Sequence, residues 1–207
     1  MTPILLALPA FAACNGDDSS PGDGASDASP DADAPADTAD TAGEEDGCTH
    51  EYATVEASEQ ECYYESTGTS TLWMYFGNIE GASDDPPFSF LGIELWPDFG
   101  GPYLPGTYDF TQDDYASCSL CGLVSTGCAH EGEELMCEKE LLAIAGSVEL
   151  TQVGEIGETF EGGVSDMFAI EVTIDWETFE STPVPGGETL CIESMDFSAP
   201  VEAFPEE

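Results

Sequence analysis

The 207-residue chain predicts an all-β domain, an antiparallel β-sandwich of roughly eight strands. Three observations predict it. Hydrophobic side chains alternate with period two over 168–176. Short runs rich in aromatic and β-branched residues recur between Gly/Pro turn signals. Only one stretch, 136–145, has helix-forming composition, and its propensity conflicts with its neighbours, so its state stays open.

The clearest strand is Phe168-Ala-Ile-Glu-Val-Thr-Ile-Asp-Trp176. Its even-numbered residues Phe168, Ile170, Val172, Ile174 and Trp176 are expected to meet the core, and Glu171, Thr173 and Asp175 to face water. Upstream, Phe160 and Val164 keep the even parity, while Gly162-Gly163 reads as a bulge or bend. Further strands are expected at 52–57, 61–66, 69–80, 88–96, 106–111, 119–126, 141–153 and 188–197. Asp84-Asp-Pro-Pro87 and Asp98-Phe-Gly-Gly-Pro102 read as connections, and Pro183, Pro185, Gly186 and Gly187 break the chain before the last strand.

Before this domain the composition is different. Residues 1–13 carry no charge and hold an apolar run too short for a membrane span, which needs about 20 residues. A secretory signal with an apolar stretch of ~7–15 residues fits it. The run ends in Phe11-Ala-Ala-Cys14, which resembles a bacterial lipobox, small residues ahead of a cysteine that becomes acylated. Phe11 stands where the pattern more often has Leu, and no basic residue precedes the run. The resemblance implies lipid attachment at Cys14, with an ordinary signal cleaved nearby as the alternative.

Residues 14–47 are expected to form a disordered acidic tether. Positions 15–47 hold 9 Asp and 2 Glu but no aromatic residue, Val, Leu or Ile, so ordering them buries too little apolar surface to offset the entropy lost. The repeated Asp lacks the Gly and Glu offsets of a calcium loop. Signal, cysteine, acidic spacer and domain in this order resemble exported lipoproteins common in myxobacteria-type bacteria. That resemblance implies an extracytoplasmic location, anchored to the bacterial membrane and most naturally the outer one. The segment Gly146-Ser-Val-Glu-Leu-Thr followed by Thr159-Phe-Glu-Gly-Gly-Val-Ser is similar to a hairpin of exported β-sandwich lipoproteins.

Charge excludes two partners. The chain has 44 Asp+Glu against one Lys, no Arg and two His, a net charge of −43. Nucleic-acid and polybasic membrane contacts both need cations the chain does not have. The domain, 48–207, carries 33 of these acids and Lys139, a net −32. Scattered carboxylates with so few ion-pair partners point to screening by a saline medium rather than to a localised calcium site.

Seven cysteines follow Cys14: Cys48, Cys62, Cys118, Cys121, Cys128, Cys137 and Cys191. Export makes disulfides the expectation, and the odd count leaves one thiol over. The 118–137 cluster is expected to pair internally, with Cys48 and Cys62 pinning the domain's entry. The alternative is a metal site in that cluster with His130 as a further ligand, although its second pair is more widely spaced than in a zinc knuckle. Cys118-x-x-Cys121 lacks the βαβ context of a redox motif.

No catalytic motif emerges. With 33 acids in the domain, close carboxylate pairs arise by chance, and neither His50 nor His130 accompanies a nucleophile motif. Neither a cofactor nor a bound metal is expected. Among the aromatics, Trp73 and Trp176 are expected in the core, and Trp96 and Tyr103, beside a Gly/Pro loop, at the surface. The reading is a membrane-anchored, non-enzymatic binding or envelope-structural lipoprotein, with a glycan or an envelope protein as partner. The alternatives are an extracytoplasmic glycan hydrolase and a metal-holding domain.

Overall fold

The computed structural model describes residues 47–67, 70–111, 114–132 and 134–205. The signal segment, Cys14 and all of the tether up to Asp46 lie outside the described residues. The domain is all-β, with twelve strands instead of eight: β1 His50–Tyr52, β2 Val55–Glu56, β3 Ser58–Thr67, β4 Ser70–Ala82, β5 Asp85–Leu95, β6 Gly106–Asp109, β7 Leu120–Glu131, β8 Glu134–Met136, β9 Lys139–Val153, β10 Thr159–Ile174, β11 Ser181–Pro183 and β12 Thr189–Ala203. Two 3-10 turns, Pro97–Phe99 and Tyr115–Ser117, complete it.

Pairing is mixed and continuous, not the expected stack of purely antiparallel strands. From β3 it passes through β4, β5, β7, β9 and β10 to β12, which returns to β3, so the ladder closes into a ring. Closure removes the exposed edges that an open sheet would offer. β12 makes the parallel contacts, running beside β1, β2 and β3 in succession. The first segment of the domain therefore lies along the last. Asp85-Pro86-Pro87, expected in a connection, already belongs to β5.

The ring encloses a core that includes Tyr75, Leu91, Leu141, Phe160, Ile192 and Phe197. Phe197 stacks on Phe160 at 5.3 Å and packs tilted against Tyr75 at 4.9 Å between ring centroids. Each such side chain contributes roughly 1.5–3 kcal/mol through burial. The stretch 136–145, left open by propensity, is divided between β8 and the start of β9, where burial overrides local preference.

The strand at 168–176 corrects the expected facing. Between Ser165 and Phe168 the β9–β10 register shifts, and Asp166 takes φ 50°. This bulge exchanges the two faces. Met167 and Ala169 therefore continue the inner face begun by Phe160 and Val164. Ile170, Val172 and Ile174 instead line a second, outer core with Leu142, Leu123, Ile144 and Tyr115. Glu171, expected to face water, reaches the ammonium of Lys139 at 3.8 Å. Trp176 is 46% exposed rather than part of the core, whereas Trp73 is buried and donates its indole N–H to the Gly154 carbonyl.

The cysteine cluster closes on itself as Cys118–Cys121 and Cys128–Cys137. The entry of the domain is pinned by Cys48 to Cys191, not by Cys48 with Cys62. Cys62 is the free thiol, inside the main core, where burial pushes its pKa up to about 12 and keeps it unreactive.

Candidate functional site

Strand direction gives the ring two ends. At one end β5 stops and β7 starts, joined by a connection that includes β6. Trp96 begins this connection. Its amide donates to the Ser119 carbonyl at 2.9 Å, and its carbonyl accepts from Phe99 and Gly101, each at 3.0 Å. Gly100 closes the turn with φ 86°, and a Cβ on Gly101 would collide with the carbonyls of Ser119 and Trp96. Only glycine allows this close approach. Asp98 anchors the turn to β4 by accepting from the Thr71 amide at 2.5 Å.

The resulting groove, about 400 Å³, is lined by Gly101, Pro102, Tyr103, Thr107, Tyr108 and Ser119 among others. Among the described residues Asp109 is the one carboxylate lining it. Tyr108 donates its hydroxyl to the Leu104 carbonyl at 2.9 Å, which ties the loop to β6. Phe99, Tyr103 and Leu104 are 63%, 58% and 54% exposed. They are three of the six large apolar side chains that the described residues expose, gathered within six positions. A fourth, Ile156, sits in the β9–β10 turn at the same end. Such concentration is the pattern of a contact surface.

Behind the groove wall lies a group that sequence reasoning did not single out. Glu94 on β5 is 7% exposed and accepts two hydrogen bonds, from the Trp96 indole at 3.0 Å and the Tyr115 hydroxyl at 2.6 Å. Burial raises its pKa, and the two donors oppose that rise. On β9, Glu140 accepts from the Ser125 hydroxyl at 2.5 Å. Burial pushes its pKa up to about 7, partly opposed by that bond. Tyr115 is raised well above its ordinary value by burial and by both carboxylates. The hint in the sequence was a Glu inside the apolar run Phe-Leu-Gly-Ile-Glu-Leu-Trp96, hidden among 33 acids of the domain. Neither acid is among the residues that line the groove.

At the opposite end a cavity of about 300 Å³ is lined by His50, Tyr52, Glu80, Glu138, Lys139 and Glu188, among others. Glu188 contacts the Lys139 ammonium and the His50 imidazole, the latter at 3.0 Å. Their hydrogen bonds hold its carboxyl below the usual range, and Glu188 in turn holds Lys139 above its own. Tyr52 donates to Glu80 at 2.8 Å. The Lys139 ammonium is thus engaged by Glu188, with Glu171 at 3.8 Å. His130 packs by Phe88 at 6.1 Å between centroids.

The sequence candidates therefore separate. Tyr103 and the backbone of Trp96 meet at the groove, while His50 lies at the other end of the ring. Cys118 and Cys121 flank Ser119 of the groove wall, and Cys128 and Cys137 tie β7 to the start of β9. As disulfides these four sulfurs provide no thiolate for a metal. Among the described residues no three His, Cys, Asp or Glu are placed to share an ion, and no helix is long and apolar enough to cross a membrane. No family model, curated protein or solved structure matches the chain.

Proposed function

We propose that this is a surface-tethered, non-enzymatic binding lipoprotein whose groove between β5 and β7 takes a neutral glycan. The observation that carries the reading is the exposed pair Tyr103 and Leu104 lining a groove in which Asp109 is the one carboxylate among the described residues, on a domain of net charge −32. Aromatic faces and aliphatic edges pack against the C–H faces of a sugar ring, and Thr107, Ser119 and Tyr108 supply hydroxyls for its polar edge. The charge repels polyanions, so acidic polysaccharides and nucleic acid are disfavoured against uncharged chains. The acidic spacer then serves as a stand-off from the envelope surface.

The groove is tested by titrating the full chain with neutral oligosaccharides and reading tryptophan fluorescence. Tyr103→Ala is expected to weaken binding by about five- to tenfold, the loss of one stacking contact. Met136→Ala, which removes an exposed side chain away from the groove, should leave affinity unchanged. Equal effects of the two substitutions, or no binding across an uncharged glycan panel, would refute the reading.

The anchor is tested separately. Protein extracted from membranes is expected to begin at Cys14 and to carry the mass of its acyl chains. A chain that retains Met1, recovered from the soluble fraction, would contradict lipidation.

A further inference from the structure

The groove wall is attached to an arrangement that binding alone does not require. Two carboxyl groups lie on the outer face of the ring near one aromatic side chain, Tyr115: Glu94 is buried and accepts its hydroxyl, and Glu140 is partly buried on the Ser125 hydroxyl and acts on Tyr115 through its charge. No cation is available to them. The chain has three side chains able to carry positive charge: Lys139 and His50 are held by Glu188 at the far end of the ring, and His130 lies by Phe88. The groups facing the two acids are instead Trp96 following β5, Ser125 of β7, and Tyr115. Cys121, the register partner of Glu94, is tied up in its disulfide. From the β10–β11 turn come Trp176 and Phe179, which pack on Tyr115 with centroids at 6.1 and 6.3 Å. Asp114 is turned away, accepting from the Ser181 amide at 2.9 Å.

The segment 114–119 rests on few supports. Among the described residues, all of its polar ties to other strands before Cys118 run to Ser181 and Glu94: Asp114 accepts from the Ser181 amide at 2.9 Å and hydroxyl at 3.3 Å, the Tyr115 amide donates to the Ser181 hydroxyl at 2.8 Å, and the Tyr115 hydroxyl donates to Glu94. Two further bonds, from Ala116 and Ser117 to Asp114, are internal to the segment. Its far end is the Cys118–Cys121 disulfide, followed at once by Ser119, whose carbonyl holds the Trp96 amide.

We propose that Glu94 and Glu140 form a proton-operated latch on the segment 114–119: neutral, they hold Tyr115 down on the sheet, and ionised without a counter-ion they release it to let water reach them. Burying a lone carboxylate is costly, and each of the two acids carries that cost separately. The cheapest relief is local, because lifting six residues solvates both acids while the ring of strands stays paired. Trp96 joins the two regions. Its indole is bonded to Glu94 and its backbone carries Gly101 and Ser119, so release of the latch loosens the groove wall. The device therefore makes the groove end rigid in acid and mobile above neutrality. It does not depend on what the groove binds.

The test is amide exchange of Tyr115, Ala116 and Ser117 in the full chain, corrected for the intrinsic effect of pH, from about pH 5.5 to about pH 8.5. Protection is expected to fall at least about tenfold over this range, while the amides of β9 and β10 stay protected. Joint Glu94→Gln and Glu140→Gln substitution keeps shape and hydrogen-bonding capacity but cannot ionise, and should abolish the fall. Glu193→Gln, at an exposed position on β12, should leave it intact. Unchanged protection in the native chain, or the same fall in the doubly substituted one, overturns the proposal. A second reading needs no variant. With a phosphine reductant, the rate of opening Cys118–Cys121 relative to Cys128–Cys137 should rise with pH, and a flat ratio likewise overturns it.

Discussion

Replacing Cys48 and Cys191 together by alanine is expected to lower the domain's stability by about 5 kcal/mol and its melting temperature by roughly 10–20 °C. The bond spans 143 residues, against 3 for Cys118–Cys121 and 9 for Cys128–Cys137. Chain entropy withheld from the unfolded state grows with the logarithm of that separation, which gives this bridge the largest effect of the three. The folded state amplifies the loss. β1 is held to β12 by three parallel residue pairs, by the Thr49 amide on the Thr189 hydroxyl at 3.0 Å and by His50 on Glu188. Thermal unfolding of the doubly substituted chain should be compared with that of a chain lacking Cys128 and Cys137, expected to lose about half as much. A loss at Cys48–Cys191 no greater than at Cys128–Cys137 would show that chain entropy is not what the bridge supplies.

That bridge also shows where sequence reading stops. The β class was legible because burial on one face of a strand imposes period two on its side chains, and most expected strands exist within a few residues. Spacing brought the clustered cysteines to each other. It had no access to Cys48–Cys191, since the partnership of chain ends depends on the parallel pairing of β1 with β12, and parallel pairing across the whole domain leaves no local mark. The outer core was legible as a set of residues and misplaced in space. Ile170, Val172 and Ile174 do share a buried face, but the one-residue bulge at Asp166 decides which face, and no Gly or Pro marks that position. Trp176 fell outside the core for the same reason. At the groove, Gly100-Gly101 and Tyr103 were readable from turn chemistry. Glu94 and Glu140 were not, because a buried acid is conspicuous only in a sequence where acids are scarce.

Raising the pH from about 4.5 to about 8 is expected to lower the stability of the domain by about 3 kcal/mol. Glu140 carries most of the argument: burial lifts its carboxyl from an ordinary 4.5 to about 7. Between those values the unfolded chain has lost a proton that the folded chain keeps. Stability therefore falls as pH rises, by about 1.4 kcal/mol per unit over roughly two and a half units. Glu94 acts in the same direction. Asp114, lowered chiefly by the Ser181 amide, and Glu188, lowered chiefly by Lys139, act oppositely, their contribution being lost only as pH falls below about 4. The optimum then lies near pH 4.5–5, by the same rough reckoning, and not at neutrality. Repulsion among the exposed acids adds a slope of the same sign, which salt separates from the buried one. At about 1 M NaCl the screening length falls to ~3 Å, which quiets surface charges but not groups shielded from solvent. Urea midpoints should therefore rise with salt at every pH above 5 or so, with a residual pH slope at high salt that Glu140→Gln removes in large part. A high-salt profile flat between pH 5 and pH 8, to about half a kcal/mol, would contradict burial of these acids. The figure of 3 kcal/mol is an upper one, because freeing the segment 114–119 lets Glu140 titrate in water while the ring remains folded. The slope should accordingly level off at the pH where amide exchange finds Tyr115 released.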